Sequence, residues 1–383
     1  MRDLATLIPM VAAQVGIFRA LKRWRKPVAD TYAVLSGSAI FISLLGLLWM
    51  FGILFTGAFA RFLSAADGVG QTLLLTSTGA YLVYLLCRWI GGRLPAKVCQ
   101  ERRQLLQAAG ALAVATPVVG MAYGILVGRT EFGIREVDLE IPDLHPDLDG
   151  LRILQLSDIH RGEFLSASEL QRVIDMTSGL RPHLAVMTGD LISRRGDPMQ
   201  ECVRQLARVK ADAGMLGCLG NHELYARMEA EVKMEAARYG IPFLRMERRQ
   251  LRFGNAVMNI GGVDYQQSSD KKHYLKGAEK LIEPGTFNLL LSHNPDVFPK
   301  AAEQGWDLML AGHTHGGQVT VEIVSQTVNV ARFFTPFVAG EYHLGNRSCY
   351  VTRGIGTVGV PARLGVPPEI TLLRLRRSGL RKV

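Results

Sequence analysis

A chain of 383 residues is longer than one hydrophobic core ordinarily organises, so two parts are expected. Its apolar share of 48% is ordinary for a globular protein, yet Lys, Arg, Asp and Glu nearly vanish over long stretches of the first third, which argues against a wholly soluble chain. The net charge of +10 is gathered in short basic clusters between apolar runs and in a basic C-terminal tail; that distribution favours a membrane neighbour over nucleic acid.

In chain order, residues 33–55 are apolar without a charge, and 69–90 and 105–127 behave similarly. At about 1.5 Å per residue, helices of that length cross the hydrocarbon core. A shorter run at 4–18, containing Pro9, is the weakest span. Basic residues in short loops stay cytoplasmic, and Arg19, Lys22, Arg23, Arg25 and Lys26 follow the first segment while Arg88, Arg93, Lys97, Arg102 and Arg103 follow the third. The loop between the second and third has Arg61 alone. This pattern predicts residues 1–128 as a transmembrane helical region of about four spans in a bacterial inner membrane, with residues 129–383 as a catalytic domain on the extracytoplasmic side. Cys87, Cys99, Cys202, Cys218 and Cys349 form no C-x-x-C pair, so buried free thiols are expected in place of a zinc knuckle or disulfide framework.

From residue 136 onward the pattern is α/β. Apolar runs at 151–156, 184–187, 215–219, 289–291 and 308–310 predict buried strands, with helices between them at 166–178 and 199–211. Ser166 with Glu169 three residues on reads as a capping box. At the strand ends stand Ser157-Asp158-Ile159-His160, Gly189-Asp190, Gly220-Asn221-His222-Glu223, Ser292-His293 and Gly312-His313-Thr314-His315. Ligand sites of open α/β sheets lie beyond the carboxyl ends of the strands, so these loops are expected to converge. Carboxylate, imidazole and amide donors together suit Zn, Mn or Fe better than Mg or Ca. Phosphate ester hydrolysis needs an oxygen nucleophile and positive charge at the phosphoryl oxygens, and two metals about 3.5 to 4 Å apart supply both. Asp190, on a Gly-flanked turn, is the natural bridge; Asp158 and His160, two apart on a segment expected to be extended, would share one metal.

A lone D-x-H or G-D says little, since Asp and His at strand ends often cap helices. All five motifs in this order, over roughly residues 150–320, resemble the calcineurin-like metallophosphoesterase superfamily: D-x-H, G-D, G-N-H-[DE], a lone His and G-H-x-H. The resemblance implies a four-layer α/β sandwich of two mixed sheets flanked by helices. It implies two divalent metal ions, one on Asp158, His160 and His315, the other on Asn221, His293 and His313, with Asp190 bridging. His222 would assist the leaving oxygen in direct attack on phosphorus, without a covalent enzyme intermediate. The N-terminal spans, the Gly150-Leu151-Arg152-Ile153 entry, and the tail from Thr352-Arg353-Gly354 through Arg363 to Pro368-Glu369-Ile370 resemble a bacterial membrane-associated branch with phospholipid-like and UDP-diacylglucosamine-type substrates. One departure is Ser193, where many relatives carry an acidic residue three positions after the bridging Asp.

The expected function is therefore a membrane-anchored phosphoesterase acting on a monoester, diester or pyrophosphate, with a phospholipid or lipid-linked substrate preferred and nucleic acid excluded as partner. UDP-2,3-diacylglucosamine-type pyrophosphate cleavage is the alternative, although it needs a cytoplasmic site. A non-catalytic receptor or scaffold would be expected to lack a ligand. Arg161 and Arg363 are candidates for gripping a substrate phosphate, with solvated arginines as the bland reading. His145, His183, His273 and His343 are expected to be surface or structural groups. The run Arg332-Phe333-Phe334-Thr335-Pro336-Phe337 reads as a core strand edge or an apolar lip, and the tail Arg374, Arg376, Arg377, Arg381 and Lys382 as a lipid contact or a frayed terminus.

Overall fold

The computed structural model describes residues 4–50, 58–93, 100–162, 164–267, 270–323 and 326–379. The end of the second apolar run, Lys97, Cys99, Arg381 and Lys382 lie outside the described residues. Two compact units divide the chain: Met1–Val127 with Gly359–Ala362, and Gly128–Val358 with Arg363–Val383.

In the first unit the described parts of the apolar runs form helices: α1 (Leu4–Trp24), α2 (Lys26–Met50), α3 (Ala58–Gly91) and α4 (Gln100–Leu126). The stretches Ala66–Gly91, in α3, and Gln104–Thr130, which starts in α4, are long and apolar enough to cross a membrane. Gln14 of α1 is buried, and its amide donates to Thr78 Oγ1 of α3 (3.0 Å) while its carbonyl accepts from Ser77 (3.1 Å) and from the Tyr32 hydroxyl of α2. A satisfied polar side chain of this kind holds apolar helices in register where hydrophobic burial alone gives no direction.

The second unit stacks two mixed sheets. One has the order β1-β13-β2-β3-β4, from β1 (Gly133–Pro142), β2 (Arg152–Leu156), β3 (Leu184–Thr188), β4 (Met215–Cys218) and β13 (Glu369–Ser378). The other has the order β11-β12-β8-β7-β6-β5, from β5 (Glu247–Phe253), β6 (Ala256–Gly262), β7 (Phe287–Leu291), β8 (Leu308–Ala311), β11 (Gly340–Leu344) and β12 (Arg347–Val351). A small hairpin, β9 (Thr320–Ile323) and β10 (Gln326–Asn329), stands apart. β2, β3 and β4 run parallel, as do β6, β7 and β8, so their carboxyl ends share one edge of each sheet.

Strand alternation explains the layering. Leu184 and Val186 of β3 meet Leu289 and Leu291 of β7 in the core between the sheets, while Ala185 and Met187 turn outward against α5 (Ala167–Met176), α6 (Met199–Leu206) and α8 (Glu229–Arg238). Leu290 and Met309 turn outward on the other side, against α9 (Phe298–Gln304). The capping box forms: Ser166 Oγ accepts from Glu169 N (3.2 Å) and the Glu169 carboxylate accepts from Ser166 N (2.7 Å).

Two expectations are revised. Arg374, Arg376 and Arg377 lie in β13, paired with β1 along its length, and Arg374 and Arg376 meet Asp138; this part of the tail is structural and not frayed. The 332–337 run is no strand edge: Asn329 caps a 3-10 turn at Val330–Phe333 and Pro336 supplies no N–H for a ladder. Phe334 is left 80% exposed, while Phe337 packs on Phe298 and Tyr342. Cys202, Cys218 and Cys349 are buried and free, as expected.

Candidate active site

The five motif loops leave the carboxyl ends of β2, β3, β4, β7 and β8, three on one sheet and two on the other. The backbone there is not extended. Asp158 (φ 52°), His160 (φ 48°), Asp190 (φ 59°), His313 (φ 75°) and His315 (φ 52°) all take the left-handed region. That corrects the expectation of an extended Asp158–His160 segment; the two side chains converge because both residues are bent. Each such conformation costs of order 1 kcal/mol or more and persists only where neighbours over-determine it. They do: Asp158 N donates to Gly189 O (3.0 Å), His160 N to Asp190 O (3.1 Å), and His313 N to the Asp158 carboxylate (3.0 and 3.1 Å). Gly189 (φ 92°) is required twice over, since a Cβ there would also lie 2.7 Å from Gly220 N and His293 Nδ1.

Three overlapping clusters result: Asp158, His160 and His315; His160, Asp190 and His222; and Asp190, His293 and His313. His160 Nε2 lies 3.1 Å from His315 Nε2, and His315 Nε2 lies 3.4 Å from Asp158 Oδ1. Asp190 Oδ2 stands between the first and the third, 3.5 Å from His160 Nε2 and 3.0 Å from His293 Nε2. The far nitrogens orient the rings: His160 Nδ1 meets Ser193 Oγ (3.1 Å), His293 Nδ1 donates to Thr188 O (2.6 Å), and His315 Nδ1 lies 3.3 Å from Gly356 O and 3.4 Å from Arg363 Nη2. Each Nε2 is thereby turned inward. Two ring nitrogens 3.1 Å apart need something positive between them, a shared proton or a cation. Asn221 Oδ1 is buried without a hydrogen-bond partner, a second acceptor awaiting a positive centre. The donor set therefore fits a pair of cations.

Electrostatics agree. Burial pushes His160 and His315 well below the ordinary imidazole range and His313 down to about 3, keeping all three as neutral lone-pair donors. Burial also works against a charged His293, but Asp190 and Asp158 beside it raise it to about 10. Burial opposes ionisation of Asp190 as well; the positive charge His293 and His222 bring overcomes that and holds its carboxyl well below the usual range. Two carboxylates sunk this deep require compensating positive charge.

His222 takes a different place. Its backbone N–H donates to Asp190 Oδ1 (2.9 Å) and its Nδ1 to Ser193 O (2.7 Å), which leaves Nε2 for proton exchange at the half-buried edge of the site. Ser193, the departure noted above, thus orients two rings: its hydroxyl holds His160 and its carbonyl holds His222.

Neither arginine is open to a substrate. Arg161 is paired side-on with Glu201 (3.4 and 2.9 Å) and donates to the carbonyls of Gly162 and Leu165. Arg363 is fully buried and spends its guanidinium on the carbonyls of His315, Arg353, Gly354 and Gly356. Arg363 pins the His315 loop to the 353–356 loop instead of gripping a phosphate. Sequence reasoning missed Glu223: fully buried, it accepts from Gly220 N (2.8 Å), Asp190 N (3.0 Å) and Leu191 N (2.7 Å). Its place at the third position of α7 (Asn221–Ala226), where a carboxylate reaches back to the helix start, was the available signal. It also missed Tyr225 and Tyr265, whose rings lie against His222 and His313.

Residues 151–317 match the family profile described as calcineurin-like phosphoesterase. That stretch is a calcineurin-like phosphoesterase domain. As such it is a metal-dependent phosphoric ester hydrolase. The chain is similar to a Bos taurus transmembrane protein with metallophosphoesterase domain, 28% identical over 316 residues, covering 79% of this chain and 69% of that one. It is 28% identical over 290 residues to the uncharacterized metallophosphoesterase YkuE of Bacillus subtilis (73% of this chain, 98% of that one). To phosphodiesterase YaeI of Escherichia coli it is 28% identical over 235 residues (58% and 82%).

Proposed function

We propose that this chain is a membrane-anchored phosphodiesterase whose phosphoesterase domain binds two divalent cations, Mn, Zn or Fe. Asp158, His160 and His315 would hold one, Asn221, His293 and His313 the other, with Asp190 between them. The observation that carries the reading is the pair of facing histidine nitrogens, His160 Nε2 and His315 Nε2, flanked by the Asp190 carboxylate. When bound, the cations supply an activated oxygen nucleophile and positive charge at the phosphoryl oxygens. The chain's own residues do the rest. Thr188 O and Ser193 Oγ orient the His293 and His160 rings with Nε2 inward. Ser193 O holds the Nδ1 proton of His222, which leaves Nε2 to take up a second proton and pass that one to the leaving oxygen. Removing metal with a chelator is expected to lower the melting temperature of the purified full chain by roughly 5 to 10 °C, since ligand at a hundredfold over its dissociation constant stabilises by about 2.7 kcal/mol. Scanning fluorimetry with Mn returned to the chelated protein checks this; a transition indifferent to Mn counts against the cation pair.

The substrate proposed is a lipid-linked phosphodiester or pyrophosphate. Support comes from the apolar helices Ala66–Gly91 and Gln104–Thr130, which would present the site to amphipathic esters at high effective concentration. The bovine relative is named a transmembrane protein and the Escherichia coli one a phosphodiesterase, which supports the anchor and the diester. The basic clusters at 19–26 and 88–103 favour the extracytoplasmic face of a bacterial inner membrane for the domain, which would disfavour a UDP-2,3-diacylglucosamine-type substrate. Protease added to intact spheroplasts is then expected to cut the domain; protection there, with cleavage only in inverted vesicles, reverses the orientation and restores that substrate.

A further inference from the structure

The organic group of a phosphoester must lie on the solvent side of the ligand clusters, and two phenols stand there. Tyr225 sits on α7 one turn after His222, its ring 5.9 Å from the His222 ring and 64% of the residue exposed. Tyr265 follows β6 on the other sheet, its ring 5.4 Å from that of His313 and 6.0 Å from that of His293, with its hydroxyl 3.5 Å from His313 Nε2. One phenol thus stands beside the ligand clusters from the loops of each sheet. The guanidinium groups of Arg161 and Arg363 are meanwhile committed to Glu201 and to backbone carbonyls.

We propose that Tyr225 and Tyr265 are substrate-contacting residues: their hydroxyls donate to the same non-bridging phosphoryl oxygen, and their rings pack on the first carbons of the ester group. Phenols donate without adding charge, so they suit the single negative charge of a diester. A dianionic monoester would gain nothing more from them than a diester does, and would still lack the extra cation it needs. The ring faces favour apolar or aryl groups next to the phosphate. This inference rests on the phosphoesterase reading of the same site.

The test uses the full-length, Mn-loaded protein in detergent with bis(4-nitrophenyl) phosphate. Tyr225→Phe, Tyr265→Phe and the double variant are compared for kcat, KM, bound Mn and inhibition by inorganic phosphate. Each single change is expected to lower kcat/KM by about ten- to a hundredfold, the worth of a hydrogen bond to a charged group. Bound Mn should stay at the wild-type level, phosphate inhibition should weaken, and the double variant should lose less than the product of the singles, because both phenols share one oxygen. Wild-type kcat/KM in both single variants overturns the inference. So does loss of Mn in step with activity in Tyr265→Phe, which would make Tyr265 a positioning residue for His313. An inactive wild type would instead remove the hydrolase reading itself, a result distinguishable from either.

Discussion

Asp190→Asn is expected to leave the fold intact and reduce phosphodiester hydrolysis at least a thousandfold. Its Oδ2 is the oxygen that faces both histidines, 3.5 Å from His160 Nε2 and 3.0 Å from His293 Nε2, while Oδ1 accepts from His222 N at 2.9 Å. An amide keeps the shape but brings one neutral oxygen and an NH2 group that cannot bind a cation, so holding two cations close together loses its only bridging carboxylate. A loss of roughly 4 kcal/mol in barrier terms corresponds to that thousandfold change. The measurement is kcat with bis(4-nitrophenyl) phosphate and Mn, together with metal content per chain. Equal rates for variant and wild type would remove the assignment of Asp190 and, with it, the two-cation reading.

Glu223→Ala is expected to produce the largest loss of stability of any single change outside the ligand set. The carboxylate takes the backbone N–H groups of Gly220, Asp190 and Leu191 and is fully buried. Each buried donor left unsatisfied costs about 1 to 3 kcal/mol, so a total on the order of 3 to 5 kcal/mol is expected. Glu223→Gln retains one acceptor oxygen and should fall between. Activity should drop alongside, because those donors belong to the loops carrying Asp190 and Asn221. Denaturant unfolding of the full chain in detergent, followed by tryptophan fluorescence, reads the effect. A midpoint within experimental error of wild type would show that the clamp contributes nothing.

The residues that the structure brings together at the site were legible because their chemistry is written at the ends of apolar runs, and runs buried on both faces, such as Leu184–Thr188 and Phe287–Leu291, read without ambiguity. What lay outside them was not. β1 and β5 carry mostly exposed residues, so no apolar run marks them, and β13 mixes Leu372, Leu373 and Leu375 with Arg374, Arg376 and Arg377 because its first half is buried on both faces and its far end is not. The two arginines misled for a common reason: a guanidinium near a metal motif reads as a phosphate fork, and only tertiary partners reveal that Arg161 answers Glu201 and Arg363 answers carbonyls. The left-handed bends at Asp158 and His160 have no signature at all in residue type, since neither is glycine; the strain is imposed by neighbouring loops.

The three ligand loops on one sheet and the two on the other have a mechanical consequence. Neither half of the sandwich owns a full set of donors, so the pocket is a gauge of how the halves are aligned. What holds that alignment is the core between the sheets, where side chains such as Val186 and Leu289 interlock. A methylene deleted deep in that core, far from any reacting atom, would let the halves slide by a fraction of an ångström and pull the facing histidines out of step. Selection for catalysis therefore acts on the whole seam, and the packed interior is as much a part of the catalytic apparatus as the loops that cap it.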